Sequence, residues 1–278
     1  IELAIVNPIY EDSVAKFFKH FLNIAWAMHH IGQKEISLWD DVDNFYYDVV
    51  EMSNGTTDRL KVRSLVGIIP LFAVEIIHKD LFEELKHFKV RAAEIIRTRP
   101  DLASLVSNIE EFNEDGNYLF SIMRGFRLEK LLYRMLDEDE FLSEFGIRSL
   151  SKYHEKHPFV FQHNGYHQIQ YESGESRSNM FGGNSNWRGP IWMPLNYMII
   201  QSLRKYYLFY GEQYVYEFPT RSGNKLNLNE IANELSKKLI KLFQPNADGK
   251  FQYHSEDVNK VFTKNEHFKN EHFFYEFF

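Results

Sequence analysis

Residues 181–197 read Phe-Gly-Gly-Asn-Ser-Asn-Trp-Arg-Gly-Pro-Ile-Trp-Met-Pro-Leu-Asn-Tyr. Three glycines and two prolines punctuate a stretch that carries Trp187, Trp192, Arg188, Asn184, Asn186 and Asn196. Glycine permits close backbone approach and positive φ. The indoles offer flat apolar faces, and the amides and guanidinium offer directed hydrogen bonds. That mixture suits a sugar, with C–H faces above and below and hydroxyls at the rim. Immediately behind it, Leu195, Met198, Ile199, Leu203, Tyr206 and Tyr210 follow helical spacing, with Gly211 placed to end the helix. The stretch is therefore a loop that feeds a helix. The competing reading is a helix–loop junction whose tryptophans are simply core.

Working outward, most of the chain carries helix-like patterns. Residues 9–31 place Val14, Phe17, Phe18, Phe21, Ile24, Ala25 and Met28 on one face. Residues 64–79 are almost continuously apolar and predict a helix buried on all sides, bent or started at Pro70. Arg63 stands at its mouth, as an ion-pair partner or a ligand contact. Residues 80–97 and 229–243 are amphipathic, the latter capped by Asn227 or Asn229. Shorter helices are expected at 101–111, 126–136 and 137–144, with the acidic run Asp137–Glu140 solvated. Residues 146–180 and 212–228 read as loops. Residues 38–50 hold Asp40, Asp41 and Asp43 ahead of an aromatic, β-branched run, which predicts a turn and a short extended piece. An EF-hand loop is excluded there, because the central Gly and closing Glu are missing. With six to eight helices and scarce strand signal, the expected fold is all-α, of the α/α toroid kind.

Composition narrows the function. A chain of 278 residues, 44% hydrophobic, supports one substantial core. The net charge of −7 and the absence of a basic run argue against nucleic acid and anionic membranes as partners. No apolar run reaches the roughly 18 residues of a membrane span. The lack of cysteine rules out thiolate metal sites and a cysteine nucleophile, and favours a reducing, cytoplasmic setting. The histidines at 154, 157, 163 and 167 fit no zinc spacing, so no metal or other cofactor is expected. The first residue, Ile1, and the aromatic end at Phe278 suggest a fragment cut at both ends.

Residues 184–197 resemble the Trp-Arg-Gly-Pro-Ile-Trp signature of glycoside hydrolase family 63, whose members are inverting enzymes built on an (α/α)6 barrel. Leu38–Val49 is similar to the family's Leu-Trp-Asp-x-x-x-Gly-Phe-Tyr-Tyr-Asp pattern, and Leu60–Leu71 also agrees. Asn44 stands where that pattern usually has Gly, and Asn tolerates the left-handed conformation. The resemblance implies an incomplete (α/α)6 toroid over residues 1–278. It implies inverting hydrolysis of α-glucosides or α-mannosides by a general acid and a general base about 6.5–9.5 Å apart. Phe274-Tyr275-Glu276-Phe277 matches the segment that carries the base, which makes Glu276 the candidate base. The resemblance places the acid on an Asp expected upstream of residue 1, with Asp48 and Asp40 as the fallbacks within the chain. Trp187, Arg188, Trp192, Asn184, Asn186, Asn196, Tyr47, Asp48 and Arg63 are then candidate contacts to an oligosaccharide or small glycoside. A phosphorylase on the same barrel and a non-catalytic sugar-binding module remain open alternatives.

Overall fold

The computed structural model describes residues 1–31, 36–106, 111–123, 125–162, 165–172, 191–268, 271, 273–274 and 278. Asn184, Asn186, Trp187, Arg188 and Glu276 lie outside the described residues. Nine helices are described: α1 (Glu2–Val6), α2 (Glu11–Ala27), α3 (Lys79–Glu84), α4 (Lys86–Thr98), α5 (Pro100–Ala103), α6 (Gly125–Met135), α7 (Met193–Tyr210), α8 (Leu228–Lys241) and α9 (Glu256–Lys264). Between them run ten short strands: β1 (Trp39–Asp40), β2 (Phe45–Tyr46), β3 (Asp48–Glu51), β4 (Thr57–Leu60), β5 (Val74–His78), β6 (Asn117–Ser121), β7 (Phe159–Gln162), β8 (Tyr166–Ile169), β9 (Val215–Glu217) and β10 (Lys225–Asn227). They form five antiparallel pairs: β1–β2, β3–β4, β5–β6, β7–β8 and β9–β10.

This architecture corrects the all-α, (α/α)6 expectation. Of the described residues 46% are helical and 19% lie in small antiparallel strand pairs, a mixed fold. The largest single error is the run 64–79. Residues Leu65–Phe72 form a 3-10 helix with Pro70 inside it, and Val74–His78 is a strand paired with Asn117–Ser121. Pro70 has no N–H to continue a helical ladder, and Val74, Ile76 and Ile77 suit a strand. The run is apolar because it is covered on both sides. Val74 and Leu119 pack in one core cluster, whereas Ile77 and Phe120 pack in another. A ribbon sandwiched in this way loses the polar alternation that identifies a half-exposed strand. The loops expected at 146–180 and 212–228 likewise contain the hairpins β7–β8 and β9–β10.

Other elements follow their local signals. Phe18, Leu22 and Ala25 form the buried stripe of α2 and meet Phe88 and Ala92 of α4, while Phe17 and Ile24 remain exposed. Helix α8 starts with a capping box, in which Asn227 and Glu230 satisfy each other's backbone N–H groups. Helix α7 ends at Gly211, with φ 72° and its N–H donated to the Tyr207 carbonyl. The main core lies where α6, α7, α8 and the 3-10 helix meet, around Leu131, Leu203, Tyr206 and Leu235. Inside it the hydroxyls of Ser121 and Tyr206 are 2.6 Å apart, tying β6 to α7.

Candidate functional site

Four segments distant in sequence lie side by side at one edge of the main core. The Leu65 N–H donates to the Ser149 carbonyl at 2.9 Å, and the Ser151 N–H donates to the Arg63 carbonyl at 2.8 Å. Arg148 pairs with Ile191 on the other side. Ile191 in turn exchanges two backbone hydrogen bonds with Phe278, of 2.8 and 2.7 Å. The Phe278 ring is seated 5.2 Å from that of Phe243 and 5.1 Å from that of Tyr253. The exit of the 181–197 loop is thus fixed two residues after Glu276.

Arg63 organises the described part of the site. Its Nε donates to the Tyr47 hydroxyl at 3.3 Å, and its Nη1 to Glu140 Oε1 at 2.7 Å. The Asp43 carboxylate is 3.6 Å from its Nη2, and the guanidinium lies 3.7 Å from the Tyr153 ring centre. Glu140 also accepts from Arg134 and from the Ser151 hydroxyl. The acidic run 137–140 is therefore not helical and only half solvated, with Glu138 and Asp139 exposed. Asp137 and Glu140 are buried, and their cationic partners offset the cost of burial.

The Arg63 backbone N–H donates to His154 Nε2 at 2.9 Å, and His154 Nδ1 lies 2.9 Å from the His157 carbonyl. An acceptor at Nε2 and a donor at Nδ1 define one neutral tautomer. Burial accordingly lowers the His154 pKa to about 4. Burial also pushes the Tyr47 hydroxyl up to about 12, against the opposing pull of Arg63. Tyr47 therefore stays protonated, able to donate to a ligand oxygen while it accepts from Arg63.

Asp48 follows at the rim of a cleft of about 250 Å³ that Tyr46, Tyr47, Ser64, Val66 and Ile69 help to line. Its surface is exposed, yet the neighbouring protein desolvates the carboxyl enough to raise its pKa. Among the described residues no hydrogen bond or ion pair engages it. Asp40 is the opposite case. Burial alone would raise its carboxyl, but the Asp43 and Val42 N–H groups and Lys61 hold it below the ordinary carboxylate range. Arg59 adds an ion pair at 3.1 Å.

Trp192 is half-buried against the main core and precedes α7. Asn196 is 1% exposed. Its amide accepts from the Ile147 N–H at 2.8 Å and donates to the Ile147 and Trp192 carbonyls, both at 3.0 Å. The structure therefore brings Tyr47 and Arg63 into contact beside Asp48, and it places Asn196 and Trp192 at the base of the loop. Glu140, Ser151 and His154 are the partners that sequence reasoning missed. Their signal was weak, a polar residue within an acidic or histidine-rich stretch that gave no hint of burial.

Residues 121–257 match the profile described as "Glycosyl hydrolase family 63 C-terminal domain". The resemblance to family 63 holds. The chain is 41% identical over 293 residues to the uncharacterized Saccharomyces cerevisiae protein YMR196W, covering all of this chain and 27% of that one. It is 30% identical over 82 residues to a Saccharomyces cerevisiae mannosyl-oligosaccharide glucosidase, covering 29% of this chain and 7% of the enzyme. It is 34% identical over 115 residues to a probable mannosyl-oligosaccharide glucosidase of Schizosaccharomyces pombe, covering 37% and 11%. The chain thus spans about a quarter of the length of the relative it matches end to end. The family 63 match contains Glu140, Ser151, His154, Trp192 and Asn196, while Tyr47, Asp48, Arg63 and Glu276 lie outside it. No described helix is long and apolar enough to cross a membrane.

Proposed function

We propose that this chain builds one wall of the active site of an inverting α-glycosidase that acts on a glucoside or mannoside. One observation carries the reading most of the way: the two-way pairing of Ile191 with Phe278. It supports a single site drawing on Trp187, Arg188 and Glu276, each within four residues in sequence of that pair. Glu276 acts as general base, taking a proton from the water that attacks the anomeric carbon. The acid that protonates the leaving oxygen is an aspartate outside residues 1–278. Tyr47 and Asp48 contact sugar hydroxyls, and Arg63, held by Glu140, fixes Tyr47. Trp187 and Trp192 pack on the sugar faces, and Arg188, Asn184 and Asn186 bind its hydroxyls. Asn196 serves by clamping the start of α7 to the 142–147 turn, which sets the direction in which the loop leaves. A phosphorylase reading is less favoured, because Lys61 and Arg63 are already paired with Asp43, Asp40 and Glu140.

Glu276→Gln in the complete polypeptide tests the assignment. Turnover of an α-glucoside or α-mannoside should fall about 10²–10⁴-fold, the range for loss of a general base, with substrate binding retained. Unchanged turnover would remove Glu276 from the mechanism.

A further inference from the structure

The most capacious of the clefts described is lined by none of Tyr47, Asp48, Arg63, Trp192 or Asn196. It measures about 520 Å³ and lies between the 42–44 turn, α6 with the segment after it, and the β9–β10 hairpin. That volume falls in the range of small-molecule sites. Its lining puts the half-buried Tyr216 and the exposed Tyr133 beside charged groups of both signs. Among the described residues no hydrogen bond or ion pair engages the side chains of Glu129, Lys130 or Lys225, so three long polar groups are available to a ligand. Arg134, also in the lining, keeps its Nε buried without an acceptor.

Left-handed backbone falls at the same place. Among the described residues only two non-glycines have positive φ, Asn44 at 51° and Arg221 at 69°. Asn44 lines the cleft directly. Arg221 braces it from behind: its guanidinium holds Asp137 at 2.6 Å, and its N–H donates to Glu217 at 2.7 Å. Both carboxylates belong to the lining. Non-glycine residues in the left-handed region persist where surrounding structure holds them, and they concentrate at ligand sites.

The chemistry selects the ligand. Five carboxylates against three cations in the lining disfavour an anion. Tyrosine faces and the apolar Val42 and Leu132 give flat contact, while free donors and acceptors together match hydroxyls, which do both. We propose that this cleft is a binding site for an uncharged, hydroxyl-rich ligand of di- to trisaccharide size, sharing with the hydrolytic site proposed above only the supporting ion-pair residues Asp43, Arg134 and Glu140.

The test is titration calorimetry of maltose and maltotriose on the complete polypeptide, carrying Glu276→Gln so that no probe is consumed. Two sites are expected. Tyr133→Ala and Lys225→Ala, both at exposed side chains, should each weaken one of them at least tenfold and leave the other unchanged. Trp187→Ala should weaken only the other. A site that responds to Tyr133 and persists when no Trp187-sensitive site exists would support this cleft and count against the hydrolytic reading alone. The proposal is overturned if both cleft variants bind the sugars like their parent, or if inorganic phosphate occupies the cleft in preference to them.

Discussion

At the residue scale, ionisation states divide the site into groups that hold and groups that act. His154 is neutral and buried, and its pKa is lowered to about 4 from 6.5. The unfolded chain therefore binds more protons between those values, so stability rises with pH across that window. It is fully present above about pH 6.5 and is lost as the pH falls toward 4, by about 3 kcal/mol in all. Urea denaturation at pH 7.5 and pH 4.5 should show this loss, and His154→Gln should remove it. A variant with the wild-type slope would mean that another group carries the effect. Asp48 is the residue to test for function. As a sugar contact, its change to Asn should raise KM about ten- to a hundredfold, as for a hydrogen bond to a charged group, with kcat little changed. A collapse of kcat with KM unaltered would instead make Asp48 the acid. The sequence singled out Asp48, because it ends an aromatic run. It could not show that Asp40 is consumed by Lys61, Arg59 and two N–H groups.

At the element scale, the 3-10 helix Leu65–Phe72 seats the site residues. It packs on β2 at Gly67, where an added Cβ would sit 2.2 Å from Phe45 Cε1 and 2.5 Å from the Tyr46 carbonyl oxygen. Neither the buried Phe45 ring nor a strand backbone can yield cheaply. Gly67→Ala should therefore cost about 1–3 kcal/mol, the range for overpacking, read as a lower urea midpoint. It should also weaken saccharide binding, because Tyr46 and Tyr47 would shift with Phe45. A stable variant with native affinity would show that the helix does not fix the tyrosines. This element was misread from sequence for a definable reason. Its periodicity is hidden by burial on every side, and only Pro70 and the β-branched Val74-Glu75-Ile76-Ile77 run hinted at a break. By contrast, α2, α7 and α8 were legible from their apolar spacing, α7 also from Gly211 at its end and α8 from Asn227 at its start.

At the scale of the whole molecule, short hairpins and helices share one core, and the site forms where residues 63–65, 148–151, 191 and 278 run together. No local pattern could have disclosed that meeting, since those segments are separated by tens to hundreds of residues. What the sequence did carry was chemistry: the Trp-Arg-Gly-Pro-Ile-Trp stretch and the Phe-Tyr-Tyr-Asp run are the residues on which the family 63 resemblance, and with it the proposal of a saccharide ligand, rests. The stereochemistry of the reaction tests the central reading most directly. Time-resolved proton NMR of the complete polypeptide acting on an α-linked glucoside or mannoside reads the anomer first released. The expected product is the β-anomer, appearing at the same rate with or without phosphate. Initial release of the α-anomer, or of a sugar phosphate, would contradict an inverting hydrolase.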